Sequence, residues 1–125
     1  MQFYPTPRRV AQEIVSALHL SGGEQILEPS CGDGRIMDEL EAWNENRAER
    51  RGRAPVTVTG IEYDAGRAEQ ARAKGHSVMT ANFLQVAPDP RFDAVVMNPP
   101  FYGRHYKLHL DHAVKFLKPV DSSGI

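Results

Sequence analysis

Three short segments carry residues whose types and spacing could do chemistry: Glu28-Pro29-Ser30-Cys31-Gly32-Asp33-Gly34, Thr59-Gly60-Ile61-Glu62-Tyr63-Asp64 and Asn98-Pro99-Pro100-Phe101. In the first, glycines directly after an apolar run let the backbone pass close to a ligand with no Cβ in the way. The helix expected next offers unpaired N–H groups to an anionic group such as a carboxylate. Glu28 and Asp33 are poorly suited to phosphate but well suited to a ligand carrying ammonium and sulfonium charge. That favours an amino-acid-bearing nucleoside over a dinucleotide. An ordinary strand-to-helix turn would read the same way, so the second segment matters. A carboxylate at Glu62, closing a strand, can accept both hydroxyls of a ribose, as in dinucleotide-binding folds. A solvated surface glutamate is the alternative there. Tyr63 offers a flat apolar face to an adenine ring.

The third segment suits a different task. An aromatic amino group is a poor nucleophile because its lone pair is delocalised into the ring. Acceptors placed on its hydrogens draw the nitrogen towards tetrahedral geometry and stabilise the charge that develops. The side-chain oxygen of Asn98 and the carbonyl of Pro99 are such acceptors, and successive prolines fix the carbonyl directions. Phe101 can stack on an extruded base. A proline-terminated strand entering a turn is the plainer alternative. His105, His109 and His112 follow at helical spacing, but the one carboxylate among them, Asp111, points elsewhere on a helix and no cysteine completes a ligand set, so no metal is expected. Arg104, His105 and Lys107 are candidates for phosphate contacts; Arg47 to Arg53 reads equally as a solvated loop.

These segments need a scaffold that gathers strand ends. Helical spacing from Arg8 to Leu20 (Val10, Ile14, Val15, Leu18) follows Pro7 and stops at Gly22-Gly23. A buried strand is expected over Gln25–Glu28, a helix from Arg35 to Arg50 with Ile36, Leu40 and Trp43 on one side, and a β-branched strand over Val56–Ile61. A helix over Ala65–Lys74 closed by Gly75, a short strand over His76–Met79, a strand over Phe92–Met97 and a helix over His105–Leu117 complete the chain. Alternating strands and helices predict an α/β, Rossmann-like, doubly wound and mostly parallel sheet with helices on both faces. Ligands bind such sheets at the carboxyl ends of the strands, and all three segments fall there.

The bulk numbers add boundaries. One modest core fits in 125 residues, and 41% hydrophobic with 25% charged residues is ordinary for a soluble globular domain. A net charge of -1 gives no global attraction to a polyanion. The single Cys31 excludes an internal disulfide and fits a reducing cytoplasm. No run reaches membrane-spanning length and no signal peptide is visible, so a cytoplasmic protein is expected.

With these segments in this order, the sequence resembles the class I S-adenosylmethionine-dependent methyltransferases, within them the amino-methyltransferases carrying Asn-Pro-Pro-Phe/Tyr. Phe3-Tyr4-Pro5-Thr6-Pro7 looks like the family's N-terminal cofactor-binding element, and Glu28 to Gly34 is similar to its glycine motif. The resemblance implies S-adenosylmethionine held by Tyr4, Thr6, Glu28, Pro29, Cys31, Gly32, Asp33, Gly34, Glu62, Tyr63, Asn82, Phe83 and Asn98. Asn82-Phe83-Leu84 stands where the family usually has Asp-Phe-Leu; an asparagine can still hydrogen-bond an adenine edge. Asn98, Pro99, Pro100 and Phe101 match the catalytic motif, in the gamma-type order of N6-adenine DNA methyltransferases. The implied acceptor is adenine N6 in DNA, with an RNA base or a protein glutamine amide as alternatives sharing the planar nitrogen. A different class of reading is an inactive remnant or cofactor-binding subunit. Relatives continue past Leu117 with further strands. Residues 1–125 are therefore expected to be a single, incomplete methyltransferase domain of about four strands, its fourth strand an open edge. A truncated gene product, a fragment, or one part that pairs with a second chain supplying the missing strands or target-recognition region would each fit that expectation.

Overall fold

The computed structural model describes residues 5–48, 51–97 and 103–119. Among them run helix α1 (Arg8–Ala17), strand β1 (Gln25–Glu28), helix α2 (Arg35–Trp43), strand β2 (Thr57–Glu62), helix α3 (Ala65–Ala73), strands β3 (Val78–Thr80) and β4 (Ala94–Val95), and helix α4 (Gly103–Ala113). The strands form one parallel sheet of order β3-β2-β1-β4. The expected Rossmann-like architecture is present, with β4 at the edge of the described sheet.

Adjacent residues of β1 feed opposite faces, because side chains alternate along a strand. Ile26 joins Ala11 and Val15 of α1, Ile36, Leu40 and Trp43 of α2, and Val56 and Val96 on one face. Leu27 joins Ile61, Phe83, Phe92, Ala113 and Phe116 on the other. Each fully buried aliphatic or aromatic side chain contributes about 1.5–3 kcal/mol, so β1 is fastened from both sides at the point where the glycine turn leaves it. No helix among the described residues is long and apolar enough to cross a membrane.

β3 covers Val78–Thr80 rather than His76–Met79, and the last helix is Gly103–Ala113 with a 3₁₀ turn over Val114–Phe116 rather than His105–Leu117; two further departures have a visible cause. The helix read as running to Arg50 is α-helical only to Trp43 and continues as a π-helix over Asn44–Ala48. The change coincides with a tertiary contact. Asn44 donates through Nδ2 to the Val56 carbonyl (3.0 Å) and accepts the Val56 N–H at Oδ1 (2.8 Å). That amide pairs with the backbone just ahead of β2 as a strand would. The fourth strand, expected over Phe92–Met97, shortens to Ala94–Val95. Its first residue is claimed elsewhere: the Phe92 N–H donates to Phe116 O (3.1 Å) and its carbonyl accepts from Lys118 N–H (2.9 Å).

Candidate functional site

The carboxyl ends of β1 and β2 are stitched together by backbone and carboxylate. After β1 the chain turns through Pro29–Gly34, with Gly32 at φ +58° and Gly34 at φ +92°. Both values lie in the left-handed region that glycine enters at little cost. The Cys31 N–H donates to Ile61 O (3.0 Å) on β2, and the Gly34 N–H closes the turn on Cys31 O (3.0 Å). Gly60 makes the close approach possible, since a Cβ there would lie 2.9 Å from both Cys31 Sγ and Met37 Sδ.

Glu62 completes the stitching. It is 7% exposed. Its Oε1 accepts the Gly32 N–H (2.9 Å) and its Oε2 accepts the Asp64 N–H (2.7 Å), with Arg67 Nε 3.6 Å from Oε2. One carboxylate therefore sets the spacing between the turn after β1 and the turn after β2. Asp64 caps α3 by accepting the Arg67 N–H (2.8 Å). Tyr63, between them, is 77% exposed, its ring open to solvent.

Glu28 is the most unusual group. It is 3% exposed, and its Oε1 has no hydrogen-bond partner. Burial first, then the neighbouring Glu62, Asp33 and Asp38, hold its carboxyl well above the usual carboxylate range. The Cys31 thiol is pushed up to about 12 by burial and then by Glu28 and Glu62, which leaves it protonated and a poor nucleophile. The site is thus a small acidic cradle with one buried oxygen lacking a donor. A group bearing positive charge would satisfy it.

No protein-family model matches the sequence. Two curated viral proteins do. The type II methyltransferase M.CvrRI of Paramecium bursaria Chlorella virus XZ-6E is 26% identical over 100 residues, 79% of this chain and 24% of its own length. Defense against restriction protein B of Escherichia phage P1 is 31% identical over 113 residues, 86% of this chain and 5% of its own length. This chain therefore spans a small part of each. Among solved structures, a TehB-like S-adenosylmethionine-dependent methyltransferase from Corynebacterium glutamicum superposes with TM-score 0.62 at 18% identity, covering 86% of this chain and 55% of that one. The chain has the Rossmann-like S-adenosylmethionine-dependent methyltransferase fold.

Within that methyltransferase fold, Glu28, Pro29, Cys31, Gly32, Asp33, Gly34, Glu62 and Tyr63 lie on two adjacent turns, as the sequence reading requires. Asp33 is paired with Arg35 (3.2 Å) at the start of α2. Asn82 follows β3, where the Ala81 N–H donates to Glu62 O (3.0 Å); its Oδ1 accepts the Leu84 N–H (3.1 Å), capping a short 3₁₀ turn. Thr6 is half-buried ahead of α1.

Phe83, expected among the ligand-contacting residues, keeps its ring in the core: it is 2% exposed and packs on His112 and Phe116 at centroid distances of 4.8 and 5.2 Å. An apolar ring is more stable there than at a wet site, and only its backbone remains for a ligand. His112 belongs to the same core, its Nε2 donating to Val86 O (2.8 Å), and His109 stacks at 5.9 Å from Phe83. His109 and His112 of α4 therefore pack against Phe83 of the core. Tyr4, Asn98, Pro99, Pro100 and Phe101 lie outside the described residues. A cleft of about 490 Å³ between α1 and the far end of α2, lined by Gln12, His19, Trp43 and Asn46 among others, contains none of the site residues. Sequence reasoning missed Arg67, Asp38 and His76, which support the two turns from behind.

The buried Glu28 has a pH signature. Its folded carboxyl binds its proton more tightly than the unfolded one, so its stabilising contribution is fully present below about 4.5 and lost as pH rises through the folded value. Asp93 acts in the opposite sense and lower down. The Gln25 N–H and then Lys118 hold it below the usual aspartate value of 3.8, so its contribution persists throughout the window of Glu28. Thermal melts of the unliganded chain are expected to lose stability above about pH 4.5. Glu28→Gln, whose amide cannot ionise, should flatten that slope. A slope that survives the substitution would place the titrating group elsewhere.

Proposed function

We propose that the chain binds S-adenosylmethionine across the two turns and is the cofactor-binding part of a methyltransferase acting on an exocyclic amino nitrogen, adenine N6 in DNA. The observation that carries the reading is the buried, unpartnered Glu28 oxygen in an acidic cradle beside left-handed glycines. A dinucleotide would bring phosphates to this place, where Asp33 and Glu62 would repel them. A ligand with an ammonium and a sulfonium is attracted by the same two groups. The cofactor supplies an electrophilic methyl on its sulfonium.

The chain's own residues do the rest. Glu62, whose oxygens keep lone pairs beyond those used by Gly32 and Asp64, accepts the ribose hydroxyls. Tyr63 stacks on the adenine ring and Asn82 meets its edge. Asp33, Tyr4, Thr6 and the glycine turn hold the amino-acid end. Asn98 and the Pro99 carbonyl accept from the acceptor amine, and Phe101 stacks on the extruded base. Transfer then depends on alignment with the sulfonium more than on acid–base help. The two viral relatives, one a methyltransferase and one named for defence against restriction, favour DNA over RNA or a protein amide.

Calorimetric titration with S-adenosylmethionine tests the cofactor step. Saturable binding is expected, weakened about tenfold or more in Asp33→Ala by loss of a charge-assisted contact. A folded chain that takes up no ligand would overturn the reading. Labelled-methyl incorporation into duplex DNA, RNA or protein then separates the acceptors.

A further inference from the structure

The glycine turn is held on its ligand side by Glu62, but it is also braced from behind by residues of no motif. His76 lies in the loop between α3 and β3, its side chain 9% exposed. Its Nε2 donates to Asp38 Oδ1 at 2.6 Å. Lys74 Nζ reaches the second oxygen of the same carboxylate at 2.9 Å. Asp38 sits in the first turn of α2, where its N–H donates to Gly34 O (2.8 Å). The imidazole packs directly on Gly34: a Cβ built there would lie 2.8 Å from His76 Cδ2 and 3.4 Å from Nε2.

We infer that His76, with Asp38, is a positioning residue that fixes Gly34 and hence the amino-acid end of the cofactor site, given the cofactor reading above. Gly34 at φ +92° is where the chain changes direction from turn to helix. A residue free of a Cβ needs an outside wall to keep one conformation, because glycine has many others within reach. His76 is that wall, and the bond to Asp38 fixes the plane of the ring. The bond also ties the α3–β3 loop to α2, so the unit carrying Glu62 and the unit carrying the glycine turn are linked on both sides of the backbone. Neither His76 nor Asp38 belongs to a hydrophobic cluster. Its loss should therefore act locally on the turn.

That locality gives a test a general packing role would fail. The full chain and the variants His76→Ala, His76→Gln and Asp38→Ala are titrated with S-adenosylmethionine and with 5′-methylthioadenosine, which lacks the amino-acid end. Wild type is expected to bind both. His76→Ala and Asp38→Ala should weaken S-adenosylmethionine by about tenfold and methylthioadenosine by less than about twofold. His76→Gln, whose amide can still donate to Asp38, should recover most of the loss and keeps the comparison open if the alanine variant does not fold. Equal loss of both ligands, or S-adenosylmethionine binding unchanged in all three variants, would overturn the positioning role while leaving the cofactor reading intact. A wild-type chain that binds neither ligand overturns the cofactor reading itself, and the role of His76 with it.

Discussion

Glu62→Ala is expected to weaken S-adenosylmethionine binding by roughly 10²–10⁴-fold, from two lost hydrogen bonds to a charged acceptor at about 1.5–3 kcal/mol each. The carboxylate has two jobs in one place. It accepts the Gly32 and Asp64 N–H groups at 2.9 and 2.7 Å, and in the proposed complex it accepts the ribose hydroxyls as well. Removing it frees two backbone donors at a largely buried position. The unliganded chain should therefore also lose about 1–3 kcal/mol of stability. Glu62→Gln separates the two effects. Its carbonyl can still accept from one N–H, but its amide nitrogen cannot accept from the other or from a second hydroxyl. An intermediate affinity is expected, with a melt between those of wild type and Glu62→Ala. Full binding by Glu62→Ala, measured by calorimetry alongside thermal melts, would mean that the carboxylate only staples the turns and that the ribose sits elsewhere.

What could be read from the sequence divides along a physical line. β1 was legible because Ile26 and Leu27 form a short apolar run between Gly22-Gly23 and Pro29, and both of its faces are buried. The glycine turn was legible because Gly32 and Gly34 follow a strand, where only a close approach or a left-handed φ explains them. The π-helical stretch was not, because Asn44–Ala48 contains no glycine or proline to mark a change from α2. What marks it is the bond of Asn44 to Val56, twelve residues on. Phe83 was read as a ligand contact because Asn82-Phe83-Leu84 stands where the resembled family has Asp-Phe-Leu. Its partners Phe116 and His112 come from a distant helix end. Asp38 and His76 are separated by 38 residues, and nothing local marks either one. The raised proton affinity of Glu28 needed the structure too. An acidic residue at a strand end is legible, whereas its burial beside Glu62 and Asp33 exists only once β1 and β2 have paired.

The larger effect on turnover should come from the motif after β4. Asn98→Ala is expected to lower methyl transfer to duplex DNA by about 10²–10³-fold, the usual loss when one preorganised polar group at a developing charge is removed. Cofactor binding should stay within about twofold of wild type, since the contacts that dominate it are made by the turns after β1 and β2. The asymmetry follows from the proposed division of labour. β4 pairs with β1 at Ile26↔Ala94 and Leu27↔Val95, on the side of β1 away from β2 and Glu62. In the proposed mechanism Asn98 acts on what receives the methyl rather than on what carries it. Phe101→Ala should instead raise KM for DNA, by about 1–3 kcal/mol of lost base stacking, with a smaller effect on kcat. Single-turnover transfer with labelled S-adenosylmethionine separates these cases. If Asn98→Ala transfers as fast as wild type, the Asn-Pro-Pro turn is not the acceptor of the amine hydrogens. If wild type binds the cofactor and transfers to no nucleic acid or protein, the chain is a cofactor-binding unit, and the chemistry assigned to Asn98 falls with it.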